Sequence, residues 1–426
     1  MKKTEQNKWR KLDNTAHVFP VIANRNITNV YRIACVLKED IDKVILNRAV
    51  KYASAKVEAY NVKLRKGFFW YYLEKTDIAP QIKEESDYPC KYIDPNDEEE
   101  LLYRVTYYKK RINLEISHIL TDGTGAMNFL KEIVKKYIYL VNEKDNKEEE
   151  YESGDQTKFV VEDSYEKNFK KQKNKGYRDG NAYKLKGAYL PLGMMRVTHA
   201  TMNIQSLKQT AKASNSTISE YLVASLIWTI YRENRLNPLV LNPIKVCVPV
   251  NLRTYFDSET TLNFFSFIPI GLDQKYKKYT FDEILLLVKQ QFKRELSKEK
   301  MQEKIAFNVS KQKILFLRIL PLIVKKYGIK AVYARSLKSY TVTLSNLGIV
   351  KINDYVDKNI DKYEFIFEPT ITDPLKLGVV SKGDKLVMSM SSILVNPVLE
   401  RSFIRHLAAN GIKIEIESNG AKNEEM

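Results

Sequence analysis

SHILTDGTG, Ser117 to Gly125, is the stretch on which the reading of this chain turns. It holds one of only four histidines, then three intervening residues and an Asp-Gly pair. The residues before it alternate in character. Ile112, Leu114, Ile116 and His118 fall on one face of a strand, and Asn113, Glu115 and Ser117 on the other. His118 ends the apolar, inward-facing row, shielded from bulk water but at the strand's mouth. Thr121, Asp122 and Gly123 then turn the chain, and glycine at Gly123 suits a backbone too tight for a side chain. Two readings are open: a general base, or a core imidazole satisfied by a nearby carbonyl. His17, His199 and His406 precede no comparable Asp-Gly. In this composition the pattern follows any of the histidines by chance on the order of 1% of the time.

Outward from the motif, Leu101–Tyr108 and Arg111–Ser117 read as two strands joined by a basic turn, and a helix over Ala126–Leu140 follows. Upstream, Asp40–Ala59 predicts a helix with Val44, Ile45, Ala49, Tyr52 and Ala53 as its apolar stripe. Downstream, Met195–Ile204 reads as a strand and Ser206–Ser214 as a helix. Thr217 opens a T-I-S-E capping box before a long helix, Ile218–Asn234. Strands are expected at Ile244–Val250, Phe264–Ile270, Tyr340–Ser345, Glu364–Phe367, Leu377–Ser381 and Lys385–Ile393. Helices are expected from Phe281 to about Lys298, from about Lys311 to Lys326, and over Pro397–Asn410. The mixture predicts an α/β (α+β two-layer) fold.

The chain has 426 residues, enough for two domains, and 44% apolar with 29% charged residues fits a globular protein with ample core. Residues 142–186 are charged and short of apolar side chains, which reads as an inter-domain connection. The expected units are 1–178 and 187–426. MKKTEQNKWRKLDN carries no apolar run after its charges, so no secretory signal is expected and a cytoplasmic location follows. The longest apolar run, ILFLRILPLIV (Ile314–Val324), is interrupted by Arg318 and Pro321 and falls short of the roughly 20 residues of a transmembrane helix. It reads as a buried helix in preference to a membrane-surface segment. Cys35, Cys90 and Cys247 are scattered without CxxC spacing, so neither a zinc site nor a disulfide framework is expected. Cys247, in KVCVPV, reads as a packed core thiol. The net charge of +18 suits anionic partners, but its densest run, Lys167–Arg178, lies in the connecting segment. With no nucleic-acid fingerprint beside it, that run reads as a solvated linker. DGTGAMN fails the dinucleotide fingerprint at Asn128, and P-loop, HExxH and GxSxG patterns are missing.

HILTDG resembles the HxxxDG motif of the coenzyme-A-dependent acyltransferase superfamily, which includes chloramphenicol acetyltransferase, plant HxxxD acyltransferases, wax ester synthases and condensation domains. TISEYLVASLIW (Thr217–Trp228) looks like the helix opening the second domain in that group. VPVNLRTYF (Val248–Phe256) with LNFFS (Leu262–Ser266), and TVTLSNLG (Thr341–Gly348), resemble its later segments in order. The DFGWG of the plant enzymes is missing, and Ser117 stands where condensation domains usually carry a second His, so the resemblance points to the alcohol acetyltransferase-like branch.

The resemblance implies two chloramphenicol-acetyltransferase-like domains with an active-site tunnel between them. It implies an acyl transfer, with acetyl the expected group, from acyl-coenzyme A as co-substrate to an alcohol, either a small molecule or a lipid. His118 would be the general base, with no covalent intermediate, no metal and no resident cofactor. Asp122 and Gly123 would shape the loop, with Arg253 as the partner of Asp122. Ser345, Asn346 and Asn263 would contact substrate. An acyl-carrier protein as donor and a non-catalytic scaffold remain the alternatives, and a monomer is expected.

Overall fold

The alternating run that ends at His118 folds as a strand, Arg111–Ser117, in the interior of a sheet. The computed structural model describes residues 8–142, 159–172, 180–234, 242–274, 278–314 and 319–420. In chain order its strands are β1 (Trp9–Lys11), β2 (Val30–Leu37), β3 (Val62–Lys66), β4 (Tyr71–Lys75), β5 (Ile82–Glu84), β6 (Tyr103–Tyr108) and β7 (Arg111–Ser117). The second half adds β8 (Arg196–Asn203), β9 (Ile244–Asn251), β10 (Phe265–Leu272), β11 (Val342–Ile349), β12 (Ile360–Phe367), β13 (Leu375–Lys382), β14 (Lys385–Ser392) and β15 (Ile414–Ser418). They form a sheet ordered β12-β2-β7-β6-β5, a sheet ordered β10-β9-β11-β13-β14-β8-β15, and a small one, β1-β4-β3.

Helices α1 (Lys43–Lys56) and α2 (Gly123–Val141) pack together over the first large sheet. Helices α3 (Ile204–Ala213), α4 (Ile218–Asn234) and α5 (Phe281–Glu295) cover the second. Helices α6 (Lys298–Lys313) and α7 (Leu322–Leu337) follow, and α7 packs on the short helical turn Phe19–Ile22 of the first lobe. Helix α8 (Val398–Ala409) lies against α4. The architecture is the mixed α/β one that the sequence predicts, with one core in each lobe.

The division by chain position is not the division by sheet. Strand β12 leaves the second half and pairs with β2, Phe365 opposite Ile33, so Tyr363 and Phe365 join the first lobe's core. After the expected boundary at 178–187 the chain therefore returns to the first lobe's sheet for β12 and goes back to the second for β13. Gly378 makes the crossing possible: a Cβ there would lie 2.0 Å from the Phe365 carbonyl oxygen. Of the connecting segment, residues 143–158 and 173–179 lie outside the described residues, and so does the second half of the basic run, 173–178. The described part is pinned at a few points, Tyr165, Ala182 and Leu185 being buried. Thr261 N donates to Val160 O at 2.9 Å, and the buried Tyr165 hydroxyl donates to Phe265 O.

Three other expectations change. In α1 the side chain of Asp42 caps the helix, accepting from Val44 N and Ile45 N. The buried row is Leu46, Ala49, Val50 and Ala53, spaced a turn apart, while Val44 and Tyr52 are exposed. The expected stripe was thus placed partly on the wrong face; Tyr52 instead takes the Lys136 ammonium over its ring at 4.5 Å. The helix expected over Lys311–Lys326 does not form as one piece. Ile314 is extended, and Pro321 disfavours helix in the residue before it and opens α7. Finally, the apolar run Ile314–Val324 is not buried: Ile314, Ile319, Ile323 and Val324 are exposed, and 315–318 lie outside the described residues. The capping box at α4 forms, with Glu220 N donating to Thr217 Oγ1 at 3.2 Å and Thr217 N to Glu220 Oε2 at 2.7 Å.

Candidate active site

His118 follows β7 directly. Its backbone N donates to Asn29 O at 2.9 Å, which anchors the ring's base to the turn before β2. Asn29 is in the left-handed region (φ 54), a conformation asparagine tolerates well. That turn is held in turn by Glu368, at the end of β12, whose carboxylate accepts from Thr28 N and Asn29 N. The imidazole sits in an aromatic slot, stacked on Phe19 (centroids 5.1 Å apart) and against Tyr31 (4.4 Å). The residue keeps an opening to solvent, but Nδ1 is buried and makes no hydrogen bond among the described residues. Burial lowers the His118 pKa from 6.5 to about 4, and the nearby Asp122 charge opposes this. The ring is therefore neutral at pH 7.

Asp122 points away from the ring and is the N-cap of α2. Its Oδ1 accepts from Thr124 N (3.1 Å) and Gly125 N (3.2 Å). Its Oδ2 accepts from Arg253 Nη1 and from Phe264 N, both at 2.8 Å. Arg253 spends its other donors on the same loop: Nε on Thr260 O at 2.8 Å, Nη2 on Leu262 O at 2.6 Å. Arg253 is mostly buried and joins the lobes. Such a charge-assisted pair between fixed elements clamps the β7–α2 turn onto the 251–264 loop.

Gly123 is the first residue of α2 and has ordinary φ; a Cβ there would meet Leu347 Cδ2 at 2.6 Å. Gly125 is far more constrained: its Cβ would lie 2.0 Å from Thr121 Oγ1 and 2.2 Å from Thr261 O. Sequence reasoning passed over Gly125, although it stands in the same DGTG.

Asn263, expected to touch substrate, leaves its buried Oδ1 without a hydrogen-bond partner among the described residues. It is 1% exposed, and its Nδ2 donates both to His118 O (3.0 Å) and to Asp13 Oδ2 (2.9 Å), so both amide hydrogens are used. It holds the motif's backbone. Asp13 itself was missed; it also accepts from Ala16 N at 2.8 Å, and burial pushes its carboxyl up to about 7. Nothing in the charged N-terminal run marks Asp13 out, because its partners are remote in sequence.

Ser345 and Asn346 lie on β11. Asn346 Nδ2 donates to Ser219 Oγ at 3.1 Å, and its Oδ1 accepts from Gly348 N at 2.8 Å. Their neighbour Leu347 packs on Gly123, so the strand end reaches the motif, but no hydrogen bond among the described residues ties either residue to His118. A cavity of about 1100 Å³ lies between the N-terminal segment, the β3–β4 turn and α6; its wall includes Asp13 and Leu262 but not His118. Among the described residues no group of three His, Cys, Asp or Glu side chains is placed to hold a metal ion. Cys35, Cys90 and Cys247 are buried, and burial raises their thiols above the usual range, so none is a ready thiolate.

No protein-family profile and no curated protein matches the chain. Solved structures do. The first condensation domain of the calcium-dependent antibiotic synthetase, in complex with a substrate analogue, is 13% identical, with 96% of this chain and 99% of that one covered and a TM-score of 0.59. The starter condensation domain of rhizomide synthetase, in complex with C8-CoA and Leu-SNAC, is 10% identical, with 95% of each chain covered and a TM-score of 0.60. F. sporotrichioides TRI101, complexed with coenzyme A and T-2, is 12% identical, with 95% of this chain and 99% of that one covered and a TM-score of 0.59. The likeness spans both lobes in each case, and the chain shares the two-lobed fold of these condensation domains and of TRI101.

Proposed function

We propose that this protein is an acyltransferase that moves an acyl group, with acetyl the first to test, from coenzyme A to an alcohol, with His118 as general base. The observation that carries this reading is the ring itself. It is neutral, set in an aromatic slot, open to solvent at a strand end, and braced through its backbone by Asn29 and Asn263. His17 is also buried with an unpaired ring nitrogen, so it is the stacking, the opening at the strand end and the Asp-Gly that follows which set His118 apart.

In the proposed reaction His118 accepts the hydroxyl proton as the alcohol oxygen attacks the thioester carbonyl. The carbon–sulfur bond then breaks, the ester forms, and the imidazolium returns the proton to the departing thiolate. Positioned proton transfer of this kind contributes roughly 10²–10⁴ in rate. Asp122 is not a second base, since both its oxygens are occupied. Its charge favours the imidazolium from a distance. Ser345 and the second amide hydrogen of Asn346 are proposed donors to the thioester oxygen or the pantetheine amides. The proposed working unit is a monomer, a reading supported by one chain supplying both lobes.

Transfer from an acyl-carrier protein is the second reading, favoured by the condensation domains among the fold's relatives. One experiment tests both. Free thiol release is measured from acetyl- and longer acyl-coenzyme A with a panel of alcohols and amines, wild type beside His118→Ala. Release that needs His118 and rises with one alcohol supports the proposal. Release unchanged in His118→Ala overturns it, and turnover only with a carrier-bound thioester selects the second reading.

A further inference from the structure

The apolar run before and into α7 lies on the surface. Only Leu322 and Lys325 of α7 are buried. Ile323 (65% exposed), Tyr327 (76%) and Val332 (61%) face outward, and Ile319 (61%) stands just before them. Beside them the turn between β3 and β4 lifts Phe68, 72% exposed, into solvent, with Phe69 next to it. The two elements form one surface. Leu322 N donates to Phe68 O at 2.9 Å, and Lys325 Nζ donates to Phe69 O at 3.1 Å while lying 3.6 Å over the Trp70 ring.

The stretch of chain that carries α7 is basic, although Lys313, at its start, pairs with Glu166. Between Glu303 and Asp354 the chain contains no acidic residue, whereas Lys311, Lys313, Lys326, Lys330, Arg335 and Lys338 all lie there. Among the described residues, Lys326, Lys330 and Arg335 form no ion pair. Large apolar side chains in water beside unpaired cations are unfavourable on an isolated monomer, and a patch of this kind marks an interaction site.

We infer that the outer face of α7 and the Phe68–Phe69 turn dock on an anionic lipid bilayer. The apolar side chains enter the acyl boundary, Tyr327 sits at headgroup depth, and the lysine stems run along the surface with their ammonium groups among anionic headgroups. A protein partner would need a recess shaped to a hairpin tip and the outer face of a helix; a bilayer needs none. Among the described residues no helix is long and apolar enough to cross a membrane, so α7 lies on the surface. The face is also close to the candidate site, because α7 packs on the turn whose Phe19 stacks on His118. The docking does not depend on the chemistry proposed for His118.

The test is co-sedimentation of the full chain with vesicles. One set is pure phosphatidylcholine, the other contains about one third phosphatidylserine. We expect wild type to sediment with the anionic vesicles at least about 10-fold more strongly than with the neutral ones at low salt, and less as salt rises. The variant Phe68→Ser/Ile323→Ser/Tyr327→Ser changes only exposed positions. It should bind anionic vesicles at least about 10-fold more weakly while keeping the wild-type melting curve and thiol-release activity. Lys326→Glu/Lys330→Glu/Arg335→Glu should abolish the preference for phosphatidylserine. Absence of wild-type binding to either vesicle, or equal binding by the triple-serine variant, overturns the inference. Capture of an acidic carrier protein by this face without any vesicle binding overturns it in favour of a protein partner.

Discussion

Asp122 and Asp13 both reach from the first lobe to the 251–264 loop of the second, and the two junctions are built differently. Asp122 meets a guanidinium and three backbone amides, so a full charge is matched by a full charge. Asp13 meets only amide groups, those of Asn263 and Ala16, in a site dry enough to push its carboxyl up to about 7. The first junction fixes where the lobes meet and where α2 begins. The second steadies one carbonyl, that of His118, through Asn263. A charged latch sets position strongly, and removing half of it strands a charge. A neutral latch is gentler in both respects.

The sharpest way to break the comparison is Asp122→Asn. It leaves the mostly buried Arg253 guanidinium without its anion, and the expected loss is about 3–5 kcal/mol in a urea titration. A loss under about 1 kcal/mol would mean that the Arg253 pairing to Thr260 and Leu262 holds the loop alone.

The glycines after Asp122 sharpen the same junction. Gly125→Ala drives a methyl into the backbone oxygen of Thr261, across the lobe boundary, and should cost about 3 kcal/mol or more. Gly123→Ala meets only the end of the Leu347 side chain, which can turn aside, and should cost about 1 kcal/mol. The ratio of the two, read from melting curves, reports how rigidly the lobes are joined at Thr261. Equal costs would show that the loop yields as easily as a leucine.

Asp13→Ala is the counterpart on the neutral side. It leaves Ala16 N unpaired and gives Asn263 one acceptor in place of two, at an expected cost of about 1–3 kcal/mol. Because it loosens the His118 backbone, kcat should fall by roughly 10-fold with KM little changed. A change confined to KM would place Asp13 in the wall of the neighbouring cavity and not in support of the ring.

What could be read in advance separates along the same line. The HxxxDG spacing and the Thr217 capping box are local, decided within a few residues, and both could be read directly. Asp13 could not, since its role depends on Asn263 and Ala16 converging on it in a run that otherwise looks like solvated charge. Strand β12 reads as a strand, but its place in the first lobe's sheet depends on pairing with β2, which alternation does not encode. Position in a motif does not say where an amide's hydrogens go, and those of Asn263 go to His118 O and Asp13 Oδ2. The run Ile314–Val324 misled in the opposite direction: its composition is that of a core helix, and only the fold shows that little covers it.

The smallest expected effect concerns the acidic limb of the rate. With its pKa at about 4, His118 is almost wholly neutral at pH 5.5, where an ordinary histidine would be about 90% protonated. If His118 is the base, kcat/KM at pH 5.5 should stay within about 2-fold of its value at pH 7.5, instead of falling about 10-fold. The two influences on the ring then separate by sign. Burial lowers the pKa, so Phe19→Ala, which opens one face of the ring to water, should move the limb up toward 6.5. The Asp122 charge raises it, so Asp122→Asn should move the limb further down in whatever fraction stays folded. Shifts in opposite directions would tie the limb to this imidazole, since His118 is stacked on Phe19 and takes its largest charge effect from Asp122. A limb that stays at the same pH in both variants would assign the titration to another residue, with Asp13 and Glu368, both held near pH 7, as the first to test.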